Sequence, residues 1–325
     1  MKRLLRVAAC LLLAAAVLAG GAAGLSRLAY GRSLGATLYE WRLRRAYAHP
    51  RTAAEEIARL EAKRAAGETP CRLPGDAVTR VGVQETELAG MQTFLLNAPG
   101  RADAAVLYLH GGAYISHFNA HMWRFMDHLA AETGCEVVAP AYRLAPFAGP
   151  REALEDLAGL VHAYMEAHPG RRLILMGDSA GGGLALALAE YLAQQGDALP
   201  ERLILFSPWV DVSMENPEIR DYVAVDPILD YDLTKVHGEC WAGALGVKSW
   251  MASPLYGEMA GLPPVTVFCG TRELLYPDIL LARDRMAAAG VDVSLHVGRG
   301  LNHDYPLMPI PEAGEAMREV VGLIG

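Results

Sequence analysis

A strand-turn-helix built around one serine constrains this chain more than any other part of its sequence. The apolar run Leu173-Ile174-Leu175-Met176 leads into Gly177-Asp178-Ser179-Ala180-Gly181-Gly182, and a helix-forming run follows from 184 to 194. Gly177 and Gly181 leave room for a tight, strained turn that lifts the Ser179 hydroxyl above the end of a sheet. The string G-x-S-x-G often arises by chance as a glycine-rich turn capped by its serine, but its place between an apolar strand and a helix sets this copy apart. The same helix start presents backbone N–H groups, that of Ala180 among them, where negative charge would develop on a reacting oxygen.

Around this element the pattern alternates. Apolar β-like runs at 105–109, 136–140, 173–176, 203–206, 265–269 and 293–297 are separated by amphipathic stretches at 120–133, 150–166, 180–195 and 278–289. That order specifies an α/β fold, a mainly parallel sheet with helices on both faces. Two further strands are expected at 77–83 and 91–96, joined by a short polar turn, and residues 33–66 are helical in character. With 52% hydrophobic residues among 325, the chain has the material for a large core. Thirty-seven acidic against twenty-nine basic residues, with no basic stripe, exclude a nucleic-acid partner. The five cysteines form no C-x-x-C pair, so neither a zinc site nor a redox dithiol is indicated, and Cys135 and Cys269 read as small buried hydrophobes.

Upstream of the serine, the run at 105–109 ends in His110-Gly111-Gly112-Ala113-Tyr114. With Gly177-Asp178-Ser179-Ala180-Gly181-Gly182, this resembles the α/β-hydrolase fold, and within it the hormone-sensitive-lipase-like bacterial carboxylesterases. The resemblance extends over most of the chain after 105, through Tyr142-Arg143-Leu144-Ala145-Pro146, Ser207-Pro208-Trp209-Val210-Asp211 and Gly270-Thr271-Arg272-Glu273-Leu274-Leu275. It implies an oxyanion hole from Gly111, Gly112, Ala113 and Ala180: Gly112, Ala113 and Ala180 donate amides, and Gly111 keeps the loop tight. Many relatives carry a third glycine where Ala113 stands, and an alanine serves there if its φ and ψ are ordinary. His110 is expected to hold the loop by hydrogen bonds.

His303, after the last strand on the glycine-rich segment Val297-Gly298-Arg299-Gly300-Leu301-Asn302, alone has both the strand-end position and the family's order of serine, acid, histidine. Glu273 and Asp278 both follow the run at 265–269. Alignment with the family's loop puts the acid at Glu273, and Asp278 opens the next helix. His117, His121 and His128 recur at helix-like spacing and read as a solvated face.

The expected chemistry is hydrolysis of carboxylic esters, with short acyl chains, through an acyl-enzyme on Ser179 without metal or cofactor. The same residues would serve amide cleavage, and a catalytically dead binding protein could share the fold. Lys2, Arg3 and Arg6 precede an uncharged apolar stretch over 7–25, which reads as a signal peptide or membrane anchor with the catalytic domain outside the cytoplasm. The expected organisation is thus 1–25 signal or anchor, 26–75 helical cap and 76–325 catalytic domain, acting on a small-molecule ester. Membrane association through 7–25 is compatible with this, and oligomeric state is not legible.

Overall fold

The protein is described by a computed structural model over residues 20–48, 51–73, 80–100 and 103–325. A helical stretch at 20–30 precedes α1 (Leu34–Ala46) and α2 (Ala53–Ala66). Ser33 caps α1 by accepting the Ala36 amide, and Thr52 with Glu55 forms a reciprocal capping box on α2. The helical reading of 33–66 therefore resolves into two helices.

The sheet follows: β1 (Val83–Leu88), β2 (Met91–Leu96), β3 (Ala104–Leu109), then α3 (Ala120–Thr133) and β4 (Glu136–Pro140). Next come α4 (Pro150–Ala167), β5 (Arg172–Asp178), α5 (Ser179–Gln195), β6 (Arg202–Phe206) and α6 (Tyr231–Ala242). The chain ends with β7 (Val265–Arg272), α7 (Tyr276–Ala288), β8 (Val293–Asn302) and α8 (Pro311–Ile324). The strands lie in the order β1-β2-β4-β3-β5-β6-β7-β8, parallel from β4 onward, with β1 and β2 antiparallel at one edge.

Both faces of the sheet are dry, so its strands read as unbroken apolar runs, yet successive side chains still part to opposite sides. Ala105, Leu107, Leu109, Leu173 and Leu175 pack with α4 and α5, whereas Val106, Tyr108, Ile174 and Met176 pack with α3 and α8. This two-sided core fixes the C-terminal ends of β3, β5, β7 and β8 beside one another, and the chemistry-bearing residues follow those ends.

Three expectations need correction. Residues 80–81 form a bend, and the first strand is β1, paired from Val83↔Leu96 to Leu88↔Met91; the strand expected at 77–83 is displaced, and 74–79 lie outside the described residues. Glu85 and Glu87 point out from this edge strand, and that polar alternation reads as a turn. The glycine-rich segment before His303 is not a loop but the end of β8, where a Cβ at Gly300 would overlap the Tyr30 carbonyl. Helices α6 and α8 were not anticipated. The expected signal or anchor lies almost wholly on residues 1–19, outside the described ones; among the described residues no helix is long and apolar enough to cross a membrane.

Candidate active site

Ser179 sits at the junction of β5 and α5 with φ 52°, a left-handed value that costs a side-chain-bearing residue about 1–2 kcal/mol. The surrounding backbone enforces it. A Cβ at Gly181 would overlap the Leu109 carbonyl of β3, and one at Gly177 would overlap the Gly181 carbonyl, so only glycine permits these strands and this helix to approach. The Ser179 carbonyl accepts the Trp209 amide at 2.9 Å.

His303 follows β8 and is buried. Its Nε2 lies 2.9 Å from the Ser179 Oγ and its Nδ1 2.7 Å from Glu273 Oε2. Glu273, the residue after β7, is fully buried, and its other oxygen accepts the Gly270 amide at 3.1 Å. The structure therefore brings together the three residues singled out in sequence. Asp278 is elsewhere, in the first turn of α7, where Asn216 donates to it at 2.7 Å and burial lifts it to about 7.

The loop after β3 carries three consecutive positive φ values: Gly112 at 114°, Ala113 at 53° and Tyr114 at 60°. The condition of ordinary geometry at Ala113 is not met: it occupies the conformation a glycine adopts freely, at a cost in strain. Gly111 has the part expected of it in the oxyanion-hole loop, which is to keep the loop tight and not to donate to substrate. Its amide donates to Asp178 Oδ1 at 3.0 Å and so faces away from any substrate. Gly112 and Ala113 keep amides without an acceptor among the described residues, and Ala113 borders the same cleft as Ser179. Ala180 lies beside them in the first turn of α5, whose amides have no intrahelical partner.

His110 anchors the loop as expected. Burial drives its imidazole down to about 3, keeping it neutral, and it stacks on Tyr142, whose hydroxyl donates to the His110 carbonyl at 2.6 Å. His117 lies before α3, packed edge-on against His110, so it does not share a solvated helix face with His121 and His128. Lys63 of α2 donates to the Ile115 carbonyl at 2.6 Å, tying the N-terminal helices to the loop.

Four acids around this site escaped the sequence reading. Asp178 accepts from Tyr108 at 2.6 Å as well as from Gly111; burial pushes it up to about 6, against the pull of those donors. Asp226 accepts the Leu274 amide at 2.8 Å, holding the turn that carries Glu273. Asp304 has φ 54°, its amide donates to Ser207 Oγ, and its Oδ2 lies 3.2 Å from His303 Nε2. Burial lifts Asp304 well above the carboxylate range, with Asp178, Glu273 and Asp226 adding to the rise. Burial alone would push the imidazole down, but Asp304, Glu273 and Asp226 outweigh it and raise His303 to about 10. The two groups are in contact, so the charge on one bears on the charge of the other. Glu40 of α1, the fourth, accepts from Arg272 at 3.0 and 3.1 Å and pairs with Arg32, which donates to the Gly300 carbonyl at 2.7 Å.

The cleft above Ser179 has a volume of about 590 Å³. Trp209, Ile228, Leu229 and Leu275 give it apolar walls, while Tyr47, Arg51 and Val223 stand at its rim. Beneath it Tyr114 stacks on Trp241 with ring centroids 4.1 Å apart.

An eight-stranded, mainly parallel sheet that carries a serine, a histidine and a carboxylate in one hydrogen-bonded row beyond its strand ends defines the class of α/β-hydrolases. A family model described as alpha/beta hydrolase fold matches residues 106–307. The chain is similar to an acetyl-hydrolase of Streptomyces hygroscopicus, 29% identical over 260 residues, covering 77% of this chain and 84% of that one. It is 30% identical over 227 residues to a triacylglycerol lipase of Mycobacterium tuberculosis, where it covers 70% of itself but only 47% of the relative's length. The crystal structure of an esterase from the bacterial hormone-sensitive lipase family superposes with a TM-score of 0.76 at 28% identity, covering 90% of this chain and 98% of that one. The chain belongs to the α/β-hydrolase family, among its hormone-sensitive-lipase-like bacterial carboxylesterases.

Proposed function

We propose that this carboxylesterase-type hydrolase cleaves small esters with short acyl chains through an acyl-enzyme on Ser179. The observation that carries the reading is the row Ser179 Oγ, His303 Nε2, His303 Nδ1 and Glu273 Oε2, spaced at 2.9 and 2.7 Å. His303 takes the Ser179 proton as Oγ attacks the ester carbonyl, then returns it to the departing alcohol. Glu273 fixes the ring tautomer and offsets the imidazolium charge. The oxyanion meets the amides of Gly112, Ala113 and Ala180, a kind of donor worth about 2.7–4 kcal/mol each when removed singly. Water then follows the alcohol and frees the acid. The acetyl-hydrolase among the relatives and the modest cleft support a short acyl group. Attachment to, or passage across, a membrane through residues 7–25 completes the proposal, resting on the basic start and apolar run of the sequence.

The test is a set of three variants assayed on p-nitrophenyl acetate, with a fluorophosphonate probe as reporter of the serine. Ser179→Ala should lose the label and about 10³-fold or more of the turnover. Glu273→Gln should lose up to about 10⁴-fold, as in the serine-protease case, while Asp278→Asn stays near wild type. A crippled Asp278→Asn beside an active Glu273→Gln would reassign the acid. Faster hydrolysis of emulsified long-chain esters than of acetate would remove the short-chain reading.

A further inference from the structure

The outer face of α1 exposes large apolar side chains to water. At 100° per residue, Leu38, Trp41, Arg42 and Arg45 fall on one stripe, and Ala36, Glu40 and Leu43 fall on the opposite, buried one. Leu38 is 56% exposed and Trp41 58%, with the Arg45 guanidinium 4.9 Å over the indole ring. The helical stretch before it adds Leu25, 68% exposed, and Leu28, 87% exposed. An indole and three leucines left in water on adjoining helices mark a surface that something covers.

The charge says what covers it. Between residues 20 and 51 stand six arginines against one acid, Glu40, in a chain whose net charge is -8. Glu40 is spent on Arg32, Arg44 and Arg272 inside the fold, leaving Arg27, Arg42, Arg45 and Arg51 on the exterior. Apolar and aromatic side chains framed by arginines, on a helix with a buried opposite face, match the boundary between lipid headgroups and acyl chains. A second copy of this face would set arginines against arginines. The apolar sequence that begins at Val7 runs directly into the helical stretch at 20–30, so the chain reaches this face from its most lipid-soluble segment.

We propose that the outer face of α1 docks on an anionic phospholipid surface and turns the catalytic cleft toward esters dissolved in it. Tyr47, the residue that ends α1, and Val223 both border the Ser179 cleft and are about half exposed, so the docking face and the cleft entrance meet at the C-terminal end of this helix. The substrate class, resting on the ester-hydrolase reading above, is a short acyl group on an apolar, membrane-dissolved alcohol. Arginine contributes to such docking through anionic headgroups, so the interaction weakens with salt.

The experiment uses the full chain with vesicles of phosphatidylcholine and phosphatidylglycerol in equal parts, some carrying brominated acyl chains. Bromine quenches only tryptophans that enter the bilayer, and the difference between wild type and Trp41→Phe isolates Trp41 from the other four tryptophans. Quenching of Trp41 is expected, together with its loss in Arg42→Glu/Arg45→Glu. The double variant should hydrolyse the acetate ester of a long-chain alcohol, supplied in the vesicles, about tenfold more slowly or less. Its rate on dissolved p-nitrophenyl acetate should equal wild type, since neither arginine lines the cleft. An unquenched Trp41, an unchanged rate on the vesicle-borne ester, or a concentration-dependent dimer that shields Trp41 would each overturn the proposal. Failure of the wild type on dissolved ester would instead strike the ester-hydrolase reading.

Discussion

The serine turn and the loop after β3 pack side by side against the cleft, and both hold residues at positive φ, but they are held by different means. Around Ser179 the restraint is backbone against backbone: Gly177 and Gly181 press on carbonyls of the helix and of β3, with no room for a methyl group. The loop from His110 to Ile115 has backbone contacts too, but side chains tie it at both ends: Asp178, itself bound by Tyr108, accepts the Gly111 amide, Tyr142 donates to the His110 carbonyl and Lys63 to the Ile115 carbonyl. Strain enforced by main chain cannot be relieved without separating strands, whereas strain enforced by side chains can be released one contact at a time.

The largest test of that contrast is Gly181→Ala. A Cβ there has only the Leu109 and His110 carbonyls to displace, so the variant should either fail to fold or lose about 10³-fold in turnover with its fluorophosphonate labelling. A soluble, fully labelled Gly181→Ala protein would show that the serine turn is softer than its packing implies. Next is Asp178→Ala, which frees the Gly111 amide and the Tyr108 hydroxyl. With the loop loosened but the serine turn intact, kcat should fall by about 10- to 100-fold, short of the full loss of an oxyanion donor, while KM changes little. Equal loss of labelling in both variants would erase the distinction.

The turn at Asp304 sharpens the comparison, because it combines a left-handed backbone with charge. Asp304, 3.2 Å from Nε2, and Glu273 favour the charged imidazole, so His303 must lose a proton before Nε2 can accept from Ser179, and activity in the wild type should climb toward alkaline pH. Asp304→Asn keeps the size but removes the carboxylate charge beside His303. The acid limb of kcat/KM should then move down by about half a pH unit or more; an unmoved limb would deny Asp304 any hold on the base. The smallest effect is expected from Ala113→Gly, which relieves the strain at φ 53° in the folded loop. Stability should rise by about 0.5–1 kcal/mol, seen as a Tm increase of about 2 °C, and a fall of similar size would place the strain elsewhere.

What was legible in the sequence follows the same division. Ser179, Glu273 and His303 each stand at a strand end within a short contiguous motif, so a local pattern carries both their identity and their place. Asp178 and Asp304 are sequence neighbours of two of them, yet their roles depend on a loop and an imidazole brought near by folding. Asp226 reaches the Leu274 amide across 48 residues, and Glu40 meets Arg272 across 232. No periodicity or spacing encodes such pairs. The glycines at 298 and 300 misled for a related reason: Gly300 serves the close approach of residue 30 and Gly298 that of the Leu301 and Tyr305 side chains, and without those partners in view they look like a flexible turn.

The clamp of Glu40 on Arg272 and of Arg32 on the Gly300 carbonyl has a bearing on how the enzyme is made. Ser33, in the same segment, is bound by Glu312 through both its amide and its hydroxyl. Residues near the start of the chain thus brace the turns that bear Glu273 and His303, and the brace itself is completed by α8, close to the end. On a ribosome the serine turn emerges with more than a hundred residues still to come, facing neither base nor acid. The growing chain is therefore inert as an esterase until β7, β8 and α8 have been made, and it becomes one only when those late elements close on the α1 segment made long before them.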